Sequence, residues 1–224
     1  SAGKSLLCAG LCRLFHQDGF RVAPFKAQNM STKSAMTAGG GEISVSQAFQ
    51  ALAAKVEPTV DMNPILLKPL GDMTSEIILA GKSIGQIYAA EYRDKYVGAA
   101  LECIERSYHR LAAEYEIVVV EGAGSPAEVN LKDRDICNMR IARMADAPVL
   151  LVANIDPGGA LAAIVGTLEL LDADEQDRVK GLVINKFRGD LSLLAPGLDF
   201  LEKRTGKPVL GVIPYIRDLA IVEE

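Results

Sequence analysis

The sequence opens with Ser1-Ala2-Gly3-Lys4-Ser5, the second half of the phosphate-binding loop pattern G-x-x-x-x-G-K-[ST]. In that loop, successive backbone N–H groups cradle a phosphate, the lysine adds a positive charge and the hydroxyl binds Mg²⁺. A phosphate-binding loop normally follows directly after a buried β-strand in the sequence. We therefore expect a hydrophobic strand upstream of Ser1, so that the given chain lacks the first strand of its sheet.

An amphipathic helix is predicted directly after this loop. Leucines recur at helical spacing at Leu7, Leu11 and Leu14, and Gly19 stands where a glycine ends a helix. Gly3 then lies at the N-terminus of the helix, where the dipole and the first N–H groups attract an anion. An ordinary capped helix is the alternative interpretation.

Composition and charge argue against several classes of protein. Hydrophobic residues make up 49% and charged residues 24% of the 224 residues, which is typical of one large globular domain over residues 1–224. A net charge of −5 without any Lys/Arg run argues against a nucleic-acid partner. Because we find no bilayer-spanning apolar stretch and no secretory signal, we expect no membrane partner and a cytoplasmic protein.

The cysteines are predicted to be buried thiols in a reducing compartment. They are Cys8, Cys12, Cys103 and Cys137. Cys8 and Cys12 are one helical turn apart, but no His or Cys cluster completes a metal site around them.

Short β-branched runs alternate with helical stretches along the rest of the chain. Strands are predicted at residues 21–24, 117–121, 149–154, 182–185 and 209–213. Helices are predicted around an apolar stripe at residues 101–115 and over residues 160–171. This order predicts an α/β fold with a doubly wound, mostly parallel sheet whose functional residues lie at the carboxyl ends of the strands. A small hairpin with its turn at Gly81-Lys82 departs from this alternation of strands and helices.

Polar loops follow two of the predicted strands. Lys26, Gln28 and Asn29 lie in the loop after residues 21–24, where they suit an anionic substrate or a terminal phosphate; a solvated surface loop is the alternative. Glu42 follows three glycines near a predicted helix N-terminus. From the residues alone it either complements the helix dipole or binds Mg²⁺.

The most informative loop is Val120-Glu121-Gly122-Ala123-Gly124-Ser125-Pro126-Ala127-Glu128. A buried strand ends here in a carboxylate, and glycines then allow a close approach of the backbone. Nucleotide enzymes present a metal-binding carboxylate in this way, and the loop is also a place for a second substrate. Downstream, Asp135 is also a good helix N-cap.

A further polar loop begins with Asn185-Lys186-Phe187-Arg188 after another predicted strand. An asparagine amide in that position can bind the edge of adenine. The pattern lacks the aspartate of the guanine-binding motif N-K-x-D, which favours ATP over GTP.

Two stretches resemble motifs of a known family. They are Pro24-Phe25-Lys26-Ala27-Gln28-Asn29-Met30 and Met62-Asn63-Pro64-Ile65-Leu66-Leu67-Lys68-Pro69. Both resemble motifs of the cobyric acid synthases, the glutamine-dependent amidotransferases of cobalamin biosynthesis, and matching stretches run the length of the chain. The similarity is to the N-terminal synthetase domain of that family, a P-loop NTPase with the fold of dethiobiotin synthetase.

The resemblance implies ATP-dependent amidation of the b, d, e and g carboxylates of adenosylcobyrinic acid a,c-diamide, through an acyl phosphate and ammonia. The implied cofactors are ATP and Mg²⁺. The implied catalytic residues are Lys4, Lys26 and Asp135. The implied ATP-binding residues are Ser1, Ala2, Gly3, Lys4, Ser5, Leu6, Asn185 and Lys186. The implied metal ligands are Ser5, Glu42 and Glu121, and the implied substrate-binding residues are Gln28, Asn29, Gly122, Ala123, Gly124 and Ser125.

The chain also departs from the family pattern. Ser44-Val45-Ser46-Gln47 replaces the usual Gly-Arg-Ala-Gln. The family turn Asp-x-Asp-Arg-Gly-Gly appears as Asn154-Ile155-Asp156-Pro157-Gly158-Gly159, so Asn154 and Pro157 replace its first aspartate and its arginine. Nothing in the chain resembles the family's glutaminase domain, so ammonia would come from a domain absent here. The sequence is compatible with a homodimer. The alternatives are amidation of the type catalysed by cobyrinic acid a,c-diamide synthase and a partitioning-type P-loop ATPase switch.

Overall fold

A computed structural model describes residues 2–71, 73–88 and 96–217. The helices are α1 (Lys4–Gln17), α2 (Val45–Ala53), α3 (Val97–Glu114), α4 (Met139–Met144), α5 (Ala160–Leu170), α6 (Ala173–Arg178) and α7 (Leu191–Thr205). The strands are β1 (Val22–Phe25), β2 (Gln28–Met30), β3 (Ser34–Met36), β4 (Glu42–Ser44), β5 (Ile65–Gly71), β6 (Thr74–Leu79), β7 (Lys82–Tyr88), β8 (Ile117–Val120), β9 (Val149–Asn154), β10 (Val179–Phe187) and β11 (Val209–Pro214). Short 3₁₀ helices cover Val60–Met62 and Val129–Arg134.

The described residues form two compact units. The larger unit contains residues 5–71, 73–88, 96–124 and 133–141, and the smaller unit contains residues 2–4, 125–132 and 142–217. Both units combine helices with parallel strands, so the chain is α/β as predicted. No described helix has both the length and the apolar composition needed to cross a membrane.

The larger unit carries a parallel pair formed by β1 and β8, in register from Val22 opposite Ile117 to Phe25 opposite Val120. Every residue of β1 is buried. The apolar run of β8 predicted a strand of this kind, because parallel strands are normally covered on both faces. The strand predicted at residues 21–24 is confirmed, shifted by one residue.

A second sheet of the larger unit has the strand order β2-β5-β6-β7. The predicted hairpin is its β6–β7 edge, but the turn lies at Ala80-Gly81, one residue before the predicted Gly81-Lys82. Both turn residues have left-handed backbone, as tight hairpins require. The sequence analysis missed that β5 and β2 extend the hairpin into a four-stranded sheet. A separate hairpin pairs β3 with β4. A Cβ on Gly81 would lie 2.8 Å from the Gly41 Cα, so glycine allows the two turns to meet.

The smaller unit contains a parallel sheet of order β11-β10-β9. The central strand β10 buries Leu182 and Ile184, which explains its apolar run. Helix α7 ends at Gly206 in the left-handed conformation. The three strands predicted in this part of the chain are confirmed.

An ion-pair network in the smaller unit fixes the 3₁₀ segment that follows the glycine loop. Lys132 Nζ lies 2.8 Å from Asp172 and 3.1 Å from Glu175, and Arg143 lies 3.0 Å from Glu175 and 2.7 Å from Asp174. Glu175 is buried, so its charge needs these two cations. The network therefore ties the 3₁₀ segment Val129–Arg134 and the end of α4 to the start of α6.

Helix α1 ends as the sequence predicted, in a motif built on Gly19. The Phe20 N–H donates to the Phe15 carbonyl at 3.0 Å and the Gly19 N–H donates to His16 at 3.1 Å, the two bonds of a Schellman motif. The leucine stripe was only partly right, because Leu14 is exposed.

Cysteines form much of the buried face of α1. Cys8 and Cys12 pack with Val22, Ala54 and Val119. All four cysteines of the chain are buried and unbridged, as predicted.

We expect these thiols to resist modification in the native protein. Burial raises the pKa of Cys12 to about 12, and burial together with the charge of Asp135 raises the pKa of Cys137 to about 12. The thiolate is the reactive form, so reaction at neutral pH should be slow. Ellman's reagent should titrate the cysteines fully in denaturant and hardly at all in its absence. A fast stoichiometric reaction of one native thiol would contradict the burial described here.

Candidate functional site

A buried carboxylate stands at the carboxyl end of β8 in the larger unit. Glu121 is 2% exposed, and its N–H donates to the Phe25 carbonyl at 2.8 Å, which continues the β1–β8 ladder by one residue. Its Oε1 accepts hydrogen bonds from Ser5 Oγ at 2.7 Å and from Lys26 Nζ at 3.0 Å. The structure thus brings together one predicted phosphate-loop residue and residues from two predicted strand-end loops.

The second oxygen of Glu121 is held by two glutamine amides from α2. Gln50 Nε2 lies 2.6 Å from Glu121 Oε2, and Gln47 Nε2 lies 3.4 Å from it. The two glutamines are three residues apart, so one helix face presents both. Ser44 begins this helix, and its Oγ accepts from the Gln47 N–H at 3.3 Å.

A buried asparagine holds the Lys26 loop and the start of α2 together. Asn63 Nδ2 donates to the Lys26 carbonyl at 3.1 Å and to the Ile65 carbonyl at 2.9 Å. Its Oδ1 accepts from the Ser44 N–H at 3.0 Å. Three backbone segments therefore depend on one amide, which gives the Met-Asn-Pro stretch a structural role.

The Ser5 and Glu121 oxygens fit a magnesium ion. They are hard ligands, 2.7 Å apart, and they lie where the phosphate-loop motif continues into α1. Mg²⁺ is usually held by one or two carboxylates, with phosphate oxygens and water completing its octahedron. The described residues hold no cluster of three His, Cys, Asp or Glu side chains suited to a metal.

The structure places Glu42 in a different environment within the larger unit. Its carboxylate accepts hydrogen bonds from Lys68 Nζ and Ser34 Oγ on neighbouring strands. Burial raises the pKa of this carboxyl, but the bonds from Lys68 and Ser34 outweigh burial and lower it overall. Glu42 is thus paired with a lysine in the described contacts, and its role as a metal ligand stays a prediction.

The predicted substrate residues Gln28 and Asn29 lie in strand β2 and not in a loop, and Asn29 is buried. Its Nδ2 lies 3.4 Å from both Gln47 Oε1 and Ser46 Oγ, and its Oδ1 accepts from the Met30 N–H at 3.0 Å. Gln28 is half-buried beside it. These contacts connect Asn29 to α2, the helix that supplies the two glutamine amides bound to Glu121.

The glycine loop after Glu121 is held by Asn138. Asn138 Nδ2 donates to the Ala123 carbonyl at 2.7 Å, and a Cβ on Gly122 would overlap the Asn138 amide oxygen. Gly124 has left-handed backbone with φ +63°. Glycine is therefore needed at Gly122 for close approach and at Gly124 for its conformation.

The Asp135 carboxylate caps the turn that leads into α4. It accepts from the N–H groups of Cys137 at 2.9 Å, Asn138 at 2.8 Å and Arg140 at 3.1 Å. These bonds are of the kind that a capping carboxylate makes, although α4 itself begins only at Met139. Its role in the reaction stays a prediction.

In the smaller unit, Asn185 holds the phosphate-loop backbone. Its Nδ2 donates to the Ala2 carbonyl at 2.8 Å, and its Oδ1 accepts from the Lys186 N–H at 2.8 Å. Gly3 has φ +79°, and a Cβ there would overlap the Asn185 amide. The structure thus brings these predicted ATP residues together, with the Asn185 side chain supporting the loop.

The remaining predicted residues are placed as follows. Ser1 lies outside the described residues. Lys4 and Leu6 are half-buried on the first turn of α1. Ser125 belongs to the smaller unit, where its Oγ accepts from the Ala127 N–H at 3.2 Å.

The sequence analysis did not assign Gln47, Gln50 and Asn63 to the site. All three side chains are buried. Gln47 and Gln50 lie at helical spacing with the buried residues Ala51 and Ala54, so the polar residues on the apolar face of a predicted helix were the available clue.

Known proteins resemble this chain over nearly its whole length. A family model described as "AAA domain" matches residues 1–222. The chain is 60% identical over 224 residues to "Cobyric acid synthase" of Sorangium cellulosum. The corresponding identity is 59% over 222 residues for the protein of that name from Pelotomaculum thermopropionicum, and 57% over 224 residues for that from Moorella thermoacetica.

The coverage of these matches is unequal. They cover 100%, 99% and 100% of this chain, but 43%, 42% and 43% of the three relatives. The chain therefore spans less than half the length of the curated relatives it matches.

Proposed function

The chain belongs to the AAA domain family, and from that premise we propose that it is the ATP-dependent synthetase part of a cobyric acid synthase. The proposed reaction converts carboxylates of a corrin into amides in cobalamin biosynthesis. The observation that carries the proposal is the buried Glu121 cluster, in which Ser5 and Lys26 meet one carboxylate oxygen.

The chemistry requires activation of a poor acyl donor. A substrate carboxylate oxygen attacks the γ-phosphorus of ATP, the bond to the β,γ-bridging oxygen breaks, and ADP leaves with an acyl phosphate formed. Ammonia then attacks the acyl carbon, loses a proton, and displaces inorganic phosphate to leave the amide. In this proposal Lys4 and Lys26 supply positive charge to the transferring phosphoryl group.

Ser5 and Glu121 are the residues that would hold Mg²⁺, and Glu42 is proposed as a further ligand. When bound, the ion would neutralise charge on the β- and γ-phosphates. Asn185 and Lys186 would bind ATP together with residues 1–6. Gln28, Asn29 and the loop over residues 122–125 would bind the corrin.

Three further features belong to the same proposal. They are the doubly wound strand order of a dethiobiotin synthetase-like fold, a cytoplasmic location, and the delivery of ammonia by a glutaminase part. The closeness in sequence to three proteins named cobyric acid synthase supports these features.

Ammonium-dependent amidation tests the proposal directly. The full polypeptide with ATP, Mg²⁺ and ammonium should amidate adenosylcobyrinic acid a,c-diamide, and mass spectrometry should show one exchange of carboxyl for amide at a time. The rate should rise with pH as free ammonia accumulates. ATP hydrolysis stimulated by DNA or lipid, with no change in corrin mass, would instead favour a partitioning-type ATPase.

An Asp135→Asn variant separates the two roles of that residue. Asparagine can keep the two bonds that the Cys137 and Asn138 N–H groups donate to Oδ1 and loses only the exposed bond from Arg140, so the fold and ATP binding should be retained. If Asp135 accepts a proton from ammonia, amide formation should fall by about 100-fold or more. Amide formation at the wild-type rate would leave Asp135 with its capping role only.

A further inference from the structure

One buried polar atom beside Glu121 is not used by any contact among the described residues. Gln50 is fully buried, and its Oε1 has no hydrogen-bond partner there. Its Nε2, in contrast, donates to Glu121 Oε2 at 2.6 Å and to the Ser5 carbonyl at 3.2 Å. A buried amide oxygen without a partner is costly, so its position beside Glu121 points to a ligand.

The orientation of the Gln50 amide follows from its neighbours. The atom 2.6 Å from Glu121 Oε2 must be the N–H donor, because an amide oxygen there would face a carboxylate oxygen. The same nitrogen also lies near the carbonyl oxygen of Ser5, a second acceptor. The amide oxygen of Gln50 is therefore the atom without a hydrogen-bond partner among the described residues. It belongs to a side chain that contacts both Ser5 and Glu121.

Gln47 provides an internal comparison. Its Nε2 also reaches Glu121, at 3.4 Å, but its Oε1 is occupied. That oxygen accepts from Ser46 Oγ at 3.1 Å, from Asn29 Nδ2 at 3.4 Å and from Ser44 Oγ. Of the two amides on Glu121, Gln50 alone offers an acceptor without a partner in the described part of the chain.

We propose that Gln50 is a positioning residue for the divalent ion, with two functions. Its N–H group fixes the rotation of the Glu121 carboxylate so that Oε1 faces Ser5. Its Oε1 accepts a hydrogen bond from a water molecule of the ion's hydration shell, which Mg²⁺ retains in part when bound to proteins. This inference rests on the proposed use of Mg²⁺·ATP and extends it to a residue outside the predicted ligand set.

The test compares Gln50→Met with wild type in the full polypeptide. Methionine keeps the side-chain length and removes both the donor and the acceptor. Mn²⁺ binding in the presence of a non-hydrolysable ATP analogue, followed by electron paramagnetic resonance, should weaken by about 10–100-fold, as when other outer-shell partners of a metal are removed. The exposed Gln17→Met is the matched control and should bind Mn²⁺ as wild type does.

Thermal unfolding without metal separates this role from a structural one. If Gln50 positions the ion, Gln50→Met should lose metal affinity while its melting temperature falls no further than that of Gln47→Met, since both variants remove one donor to the Glu121 carboxylate. Gln47→Met should lose less metal affinity than Gln50→Met, because its oxygen serves the protein rather than the ion. Unchanged Mn²⁺ affinity in Gln50→Met, or an absence of Mn²⁺ binding in wild type, would overturn the inference. Wild-type Mn²⁺ binding that Gln50→Met weakens, without any corrin amidation, would sustain the inference and defeat the proposed function.

Discussion

Lys26→Met is expected to lower the free energy of unfolding by about 3–5 kcal/mol, the usual cost of leaving a buried charge without its partner. The Lys26 ammonium and the Glu121 carboxylate lie 3.0 Å apart, with side chains that are 7% and 2% exposed. Methionine preserves most of the volume, so packing changes little and the loss is electrostatic. Urea unfolding at neutral pH, followed by circular dichroism, measures the change.

Two further variants show whether the charge is responsible. Adding Glu121→Gln to Lys26→Met removes the unpaired charge and should recover much of the lost stability. Lys82→Met, at an exposed lysine of β7, should change stability by about 0.5 kcal/mol or less. The electrostatic explanation fails if Lys26→Met and Lys82→Met cost the same, or if the double variant is no more stable than Lys26→Met.

Lys4→Ala should reduce ATP turnover by about 100–1,000-fold, which is typical when one charge-stabilising donor is removed from a transition state. Lys4 stands in the Gly-Lys-Ser stretch and begins α1 beside Gly3, whose backbone has the left-handed conformation with φ +79°. Binding of Mg²⁺·ATP should weaken as well, because charge-assisted contacts to phosphate are worth roughly 1.5–3 kcal/mol. Steady-state phosphate release and isothermal titration calorimetry measure the two effects.

The control for Lys4→Ala is Lys203→Ala, at an exposed lysine in the last turn of α7. That variant should keep wild-type turnover and affinity. ATP binding and hydrolysis in Lys4→Ala equal to those of Lys203→Ala would exclude a phosphate-binding role for the loop.

The fold was predictable where local chemistry determines it. Strand β8 is a continuous apolar run, and Gly19 ends α1 in a left-handed turn, so both could be recognised from neighbouring residues. The pairing of β2 with β5 could not, because Gln28 and Ile65 are distant in sequence and no local pattern links them. The apolar stripe predicted on α1 was wrong at Leu14, because cysteines occupy the buried face of the helix instead.

Parts of the candidate site were predictable for a similar reason. Glu121 stands at the end of a recognisable strand, so its place at the sheet edge followed from the order of elements. The amides that orient it come from α2, where Gln47 and Gln50 resemble ordinary polar helix residues in the sequence. Only the packing shows that both are buried against a carboxylate.

The bond from Asn185 to the Ala2 carbonyl also has a consequence for the order of folding. It joins residues 183 positions apart, and closing so long a segment costs entropy before any contact repays it. On the ribosome, residue 2 is synthesised long before residue 185 exists. The contact at Ala2 therefore cannot form until residue 185 has been made, and a nascent chain offers phosphate no completed loop. Nucleotide then stabilises the finished molecule without trapping its precursors.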